Sequence, residues 1–309
     1  MKLFRFSALI LAGGVSSVWA AADPQLLGLL MPDAKILAGV QMGQAKASPF
    51  GQFVLSQAGP NAQFDQLKAA TGFDPRTDLT ETVAGSAGNS GGLVAGHGSF
   101  QPTRLTNLAM TAGAPIESYR GVTLIGGGSA AKSPAQDGAV AFLDGTTVVI
   151  GNRELVKAAV DRWIGATRST GPLTAKATEV STTSQAWAVA TGLSELQGPS
   201  AANAPPQAQM VQNILTKIDM VSGGLNFGET ITMHGQAVTG STQDAQALAD
   251  VFQFVMGMAA PKSPLPALPQ VTASGSTVNF TLTLTEQQAE QLFKPAVATR
   301  TAVRSAARK

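Results

Sequence analysis

The alternation of apolar and polar positions divides the chain into short strands interleaved with amphipathic helices. A buried strand is expected at 36–40 (ILAGV). Ser48-Pro49 reads as an N-cap followed by a first-turn proline, opening a helix to about Gln57. A second helix is expected at 62–71, with Phe64, Leu67 and Ala70 on one face and Gly72 as its stop. Strands are expected at 82–87 and 92–100, joined by the turn Gly88-Asn89-Ser90-Gly91. Pro102 opens a helix carrying Leu105, Leu108, Ala109 and Ala112, and short strands follow at 116–119 and 122–125. Segments 139–143 and 147–150 flank Asp144-Gly145, a hairpin signal in which glycine is expected to take the positive φ of a primed turn. Asn152 is then expected to cap a helix at 153–164, with Leu155, Ala159, Val160 and Trp163 inward.

The later part of the chain runs through a similar order. It has a strand at 186–190, a helix at 207–216, strands at 218–227 and 230–239, and a helix at 242–258. A hairpin at 271–273 and 277–284 leads to a helix opened by Thr285, with Gln288 completing a capping box and Ala289, Leu292 and Phe293 turned inward. Residues 140–163 and 271–293 share a pattern in which Gly145-Thr146-Thr147-Val148 aligns with Gly275-Ser276-Thr277-Val278. Thr82-Val83-Ala84-Gly85 aligns with Met220-Val221-Ser222-Gly223, and His97-Gly98 with His234-Gly235. The expectation is an α+β fold of two similar halves by internal duplication, each a mostly antiparallel sheet covered by helices. The halves would be 23–165 and 185–295. A Thr/Ser-rich linker would occupy 166–184 and a basic, disordered tail 296–309. Two Pro-rich stretches, 197–206 and 260–269, read as further connectors.

The N-terminal 22 residues follow a different logic. Lys2 and Arg5 precede a short apolar stretch, and Val18-Trp19-Ala20 and Ala20-Ala21-Ala22 both fit a small-x-small cleavage site. This is the pattern of a signal peptide cut after Ala20 to Ala22, and the alternative is an uncleaved anchor. It places the mature protein in the periplasm or outside the cell, with no transmembrane span left after cleavage.

Composition narrows the chemistry. The chain of 309 residues has 44% hydrophobic and 13% charged residues, 33 glycines, 2 histidines and no cysteine. Cysteine thiolates, disulfides and thiolate-bound metals are excluded, and few histidines remain for acid–base work. The formal charge of +2 is carried by the two ends. Setting aside Lys2, Arg5, Arg300, Arg304, Arg308 and Lys309 leaves 15 basic against 19 acidic residues. The body is therefore acidic, which argues against nucleic acid as a partner. Contact of the basic tail with an anionic envelope surface is the partner the charge pattern allows.

Three motifs are candidates for chemistry. Gly88-Asn89-Ser90-Gly91-Gly92 matches a nucleophile elbow, but a strand rather than a helix is expected to follow, so Ser90 reads as a turn residue. Ser129-Ala130-Ala131-Lys132 matches a penicillin-binding motif without its partner motifs, and Ser129 reads as a loop residue. Gly126-Gly127-Gly128 lacks the residues that complete a phosphate loop. His97 and His234 fall at matching places in the halves. They are either a weak pair of metal or ligand candidates between two sheets or two ordinary strand histidines. Phe254 lies off the apolar stripe of its helix, where a ligand or partner groove could form. No catalytic residue and no cofactor is expected.

The stretches at 31–57, 71–79 (TGFDPRTDL) and 140–162 together resemble exported bacterial proteins of unknown function, of acidobacterial type. The resemblance spans most of the chain after the leader and implies export and an α+β fold, with no site residue attached. These readings converge on an exported, non-enzymatic binding or scaffolding protein of the bacterial envelope. The alternatives are a carrier of an apolar, lipid-like ligand and, third, a hydrolase.

Overall fold

The computed structural model describes residues 21–57, 62–88, 91–126, 137–193, 216–228, 230–259 and 268–293. Its strands are β1 (Ile36–Val40), β2 (Leu79–Ser86), β3 (Gly92–Gly98), β4 (Ile116–Tyr119), β5 (Val122–Ile125), β6 (Gly138–Phe142), β7 (Thr147–Asn152), β8 (Ala186–Thr191), β9 (Ile218–Phe227), β10 (Thr230–Thr239), β11 (Gln270–Ser274) and β12 (Thr277–Thr285). Its helices are α1 (Pro24–Leu29), α2 (Met42–Ala47), α3 (Pro49–Gln57), α4 (Ala62–Thr71), α5 (Pro75–Asp78), α6 (Pro102–Thr111), α7 (Arg153–Ile164), α8 (Pro172–Ser181), α9 (Thr242–Ala259) and α10 (Glu286–Phe293). Residues 1–20, which hold most of the expected signal peptide, Ser90, Ser129, Lys132, nearly all of the helix expected at 207–216 and the basic tail lie outside the described residues.

All 12 strands join one sheet in the order β11-β12-β10-β9-β8-β1-β2-β3-β7-β6-β5-β4. Every pairing is antiparallel, so the fold is α+β with one large antiparallel sheet. β1 and β8 form the seam between the halves, with Ala38 opposite Ala188. On one side of the seam the order is 1-2-3-7-6-5-4, and on the other 8-9-10-12-11, so five strands match in order and β5 and β4 extend the first side alone.

Alternation assigns each side chain a face. Val83, Ala95, Val149, Ala141 and Leu124 lie opposite one another across five strands and bury one face of the first half. α1, α7 and α8 cover it through Leu26, Leu27, Val156, Val160, Leu173 and Val180. Followed across the seam, this same face becomes polar. Trp187 stands opposite Gly224, Gly224 opposite His234, and His234 opposite Thr281. The second half buries the other face instead, through Ile231, Ala237, Val278, Leu282 and Leu284 under α9, α10 and α3. The apolar face thus changes sides between the halves.

This changes what the repeated pattern means. α7 and α10 follow equivalent hairpins but cover opposite faces of the sheet. The reason is visible at one aligned pair. Val149 faces the core beneath α7, whereas its counterpart Asn279 faces away from α10 and accepts a hydrogen bond from Gln236 Nε2 at 3.1 Å.

Several local expectations need correcting. The stretch 166–184 contains α8, whose Leu173, Ala177 and Val180 are buried, so it is part of the core and not only a linker. Its i, i+4, i+7 spacing is a helical stripe made with small residues. The pattern reading also missed α1, where Asp23 Oδ1 accepts from Gln25 N–H at 2.6 Å and Pro24 opens the turn. Gly145 does not take a positive φ. Asp144 builds that turn: its Oδ1 accepts from the Thr146 and Thr147 N–H groups at 2.7 Å each. Asn152 holds the N-cap position of α7 but its side chain makes no capping hydrogen bond, whereas the caps expected at Ser48 and Thr285 are present. Ser48 Oγ accepts from Gly51 N–H at 3.0 Å, and Thr285 and Gln288 bond reciprocally at 2.9 and 3.3 Å.

Candidate functional site

α9 starts at a firm cap. Ser241 Oγ accepts from Asp244 N–H at 3.1 Å and donates to Asp244 Oδ2 at 2.7 Å. Its first half packs tightly, with Ala245, Leu248 and Ala249 buried against Ile218, Ala237 and Val278. The same stripe continues to Phe252 and Met256, and there the packing opens. A cavity of about 340 Å³ lies beneath them, bordered by Met233, Gly235, Phe280 and Leu282 and lined almost wholly by apolar atoms. Gly235 leaves the space. A Cβ built there would meet nothing closer than Ser222 O at 3.5 Å. The Phe252 and Phe280 rings meet at 4.7 Å and 60°, an edge-inclined pair that forms one wall. On the far side α3 and α10 form a separate cluster, with Phe50 and Ala289 buried among Ile231, Leu282 and Leu284. The groove is the gap between two helix-covered patches of one sheet face. Phe252 is 39% exposed, so the groove opens to solvent.

The two histidines do not form a joint site. Both strands lie in one sheet, and five strand spacings separate β3 from β10, about 24 Å. They cannot share an ion. His97 Nδ1 lies 3.5 Å from Asp23 Oδ2 beside buried Glu81, whose Oε1 accepts from Asp23 N–H at 2.9 Å. Burial pushes the Glu81 carboxyl up from its ordinary value. His234 borders the groove from its strand, while its Nε2 lies 3.1 Å from the buried Ser184 hydroxyl on the polar face. Burial lowers the His234 pKa and favours the neutral ring. Among the described residues no three His, Asp or Glu side chains gather as a metal site.

The hairpin at Gly88–Gly92 joins antiparallel neighbours, with Ser86 opposite Gly92. The element after the turn is therefore a strand, which does not supply the strand-to-helix setting of a nucleophile elbow. Phe254 stays 64% exposed and is not among the groove residues. The on-stripe residues Phe252 and Met256 line the groove instead. Their signal in the sequence is indistinguishable from core packing, since both continue the stripe of Ala245, Leu248 and Ala249.

No protein-family model matches the chain. No curated protein matches it either. Among solved structures it is similar to crystal form IV of TP0453, with a TM-score of 0.50 and 12% identity over 88% of this chain and 96% of that one. Crystal form III of TP0453 matches with a TM-score of 0.50 and 11% identity over 87% and 97% of the two chains. At these identities the likeness concerns the fold.

Proposed function

We propose that the protein is an exported, non-catalytic binding protein of the bacterial envelope that carries an apolar, lipid-like ligand in the groove under α9. The observation that supports this reading is the solvent-open cavity of about 340 Å³ between two packed clusters, lined by Met233, Phe252, Met256, Phe280 and Leu282. Its size falls in the range of small-molecule sites, and its flexible methionines can adapt to alkyl chains of varied shape. The signal pattern before Ala22 supports export. The order of five strands shared by the two sides of the β1–β8 seam, with β5 and β4 added on one side only, supports descent from a duplication in which one half changed its helix-covered face.

The test is native mass spectrometry of protein purified from its own host, paired with binding of the fluorescent fatty acid cis-parinarate. The expected result is a co-purifying mass of lipid size and saturable fluorescence. Gly235→Leu fills the cavity from its floor and should abolish both. Protein that arrives empty and leaves the probe dark, or equal binding by Gly235→Leu, would overturn the reading.

A further inference from the structure

A second cavity lies elsewhere on the same sheet face, at the far end from the apolar groove. It occupies about 370 Å³ between α6 and the β5–β6 pair. Its chemistry is different. Thr103, Thr106 and Asn107 stand at i, i+3 and i+4 on α6 and reach it together, and Thr123 of β5 reaches it from the sheet. Phe142 of β6 supplies an aromatic wall, backed by Phe100 with ring centroids 5.5 Å apart. α6 rests on the sheet without burying a single residue, so its polar side spans a gap where a core helix would close one.

Three features define what would fit. First, among the described residues no ionisable side chain lines the cavity, so none of them offers a counter-charge to an ion. Second, among the described residues the Thr103, Thr106, Asn107 and Thr123 side chains make no hydrogen bond within the protein. Three hydroxyls and one amide offer donors and acceptors in both senses, which matches a ligand that also carries both on neighbouring atoms. Third, the rim is kept low. Arg120 and Gly121 both have positive φ, 50° and 84°, in the tight β4–β5 turn, and a Cβ at Gly121 would meet nothing within 4 Å. The Arg120 guanidinium is tied to Asp161 Oδ1 of α7 at 2.7 Å.

We propose that this cleft binds a neutral pyranoside sugar. One face of the ring would lie against Phe142, and its hydroxyls would bond Asn107 and the threonines. The site is independent of the apolar groove, shares no residue with it, and gives the protein a second ligand of opposite polarity. Because the cleft is open and its contacts are few, affinity should be weak, with Kd on the order of millimolar.

The test is a titration of the ¹⁵N-labelled full chain with methyl α-glucoside, N-acetylglucosamine and maltose, followed by amide NMR shifts. The expected result is saturable shifts for at least one sugar, confined to Thr103, Thr106, Asn107, Gly121 and Thr123. Asn107→Ala and Thr123→Val replace exposed side chains, and each should weaken binding by about tenfold while leaving the remaining spectrum in place. Glucose 6-phosphate is the counter-probe and should bind no more tightly than the neutral sugars. Absence of saturable shifts for all three sugars, shifts centred elsewhere, equal binding by both variants, or a clear preference for the phosphate would each overturn the assignment.

Discussion

Gly39 lies directly opposite Trp187 across the seam, and the indole covers the position where a side chain would begin. A Cβ on Gly39 would sit 2.5 Å from Trp187 Cζ2. Trp187 is 4% exposed, so the ring has little room to yield. Gly39→Ala should therefore destabilise the protein by about 1–3 kcal/mol through overpacking, measured by urea denaturation. Trp187→Phe in the same chain should recover part of that loss. An unchanged midpoint for Gly39→Ala would show that the seam is looser than its geometry implies.

The start of the described chain bears on where a leader, as proposed, would be cut. Ala22 is buried, and its N–H donates to Ser181 Oγ at 2.9 Å. Cleavage after Ala22 would delete this residue, and cleavage after Ala21 would leave a charged amine in its place. N-terminal sequencing of the mature protein is expected to begin at Ala21, the product of cleavage after Ala20. A mature chain starting at Asp23 would contradict this. Ser181→Ala should cost about 1–3 kcal/mol, because it strands a buried N–H.

His234 makes stability depend on mild acid. Burial holds its pKa below 6.5, so the unfolded chain takes up a proton first as pH falls. This contribution to stability is present above about pH 6.5 and is lost as pH drops below it. His234→Gln should flatten that part of the profile, followed as denaturation midpoint against pH. An identical slope in the variant would assign the effect to another group.

Glu81 has the opposite sign. Its carboxyl is buried and its pKa raised, so the folded state holds a proton that the unfolded chain has already released. Stability should fall as pH rises from about 4.5 through the folded-state value. Glu81→Gln keeps an oxygen for the Asp23 N–H and removes the charge. It should raise the melting temperature at neutral pH by a few degrees, on the order of 4 °C per kcal/mol gained. A lower melting temperature would mean that the carboxylate charge is itself stabilising beside His97.

Much of the architecture was legible in the sequence for a simple reason. β9 and β10 occupy 218–227 and 230–239, and α7 occupies 153–164, as the alternating and helical periods indicate. Such elements bury one face, and the period records it. What escaped notice was built from small or unperiodic residues. α8 packs through Ala177 and Val180 in a Thr-rich run that reads as a connector. α1 is a short run of leucines next to the segment read as a leader, where apolar character has another explanation. The apolar groove was not legible because a cavity is the absence of a side chain at Gly235, and no residue type encodes the space left between two packed clusters. The Ser184–His234 bond joins residues 50 positions apart and has no local signature. The change of face was written in the alignment, at Val149 against Asn279, but it acquires meaning only once both strands share a sheet.

Phe50 belongs to an early helix, yet its burial depends on Ile231, Leu282 and Leu284. During synthesis the ribosome must add more than two hundred residues before these partners exist, roughly 12–50 s at typical elongation rates. Until then α3 has only α2 and, once β9 is made, Phe227 to rest on, and the sheet that would receive it lacks β10 and β12. Completion of the core is thus tied to arrival of the C-terminal strands. A nascent chain wired this way stays incompletely folded for most of its synthesis. In a chain exported as proposed above, that delay would keep the polypeptide threadable through a narrow translocation channel.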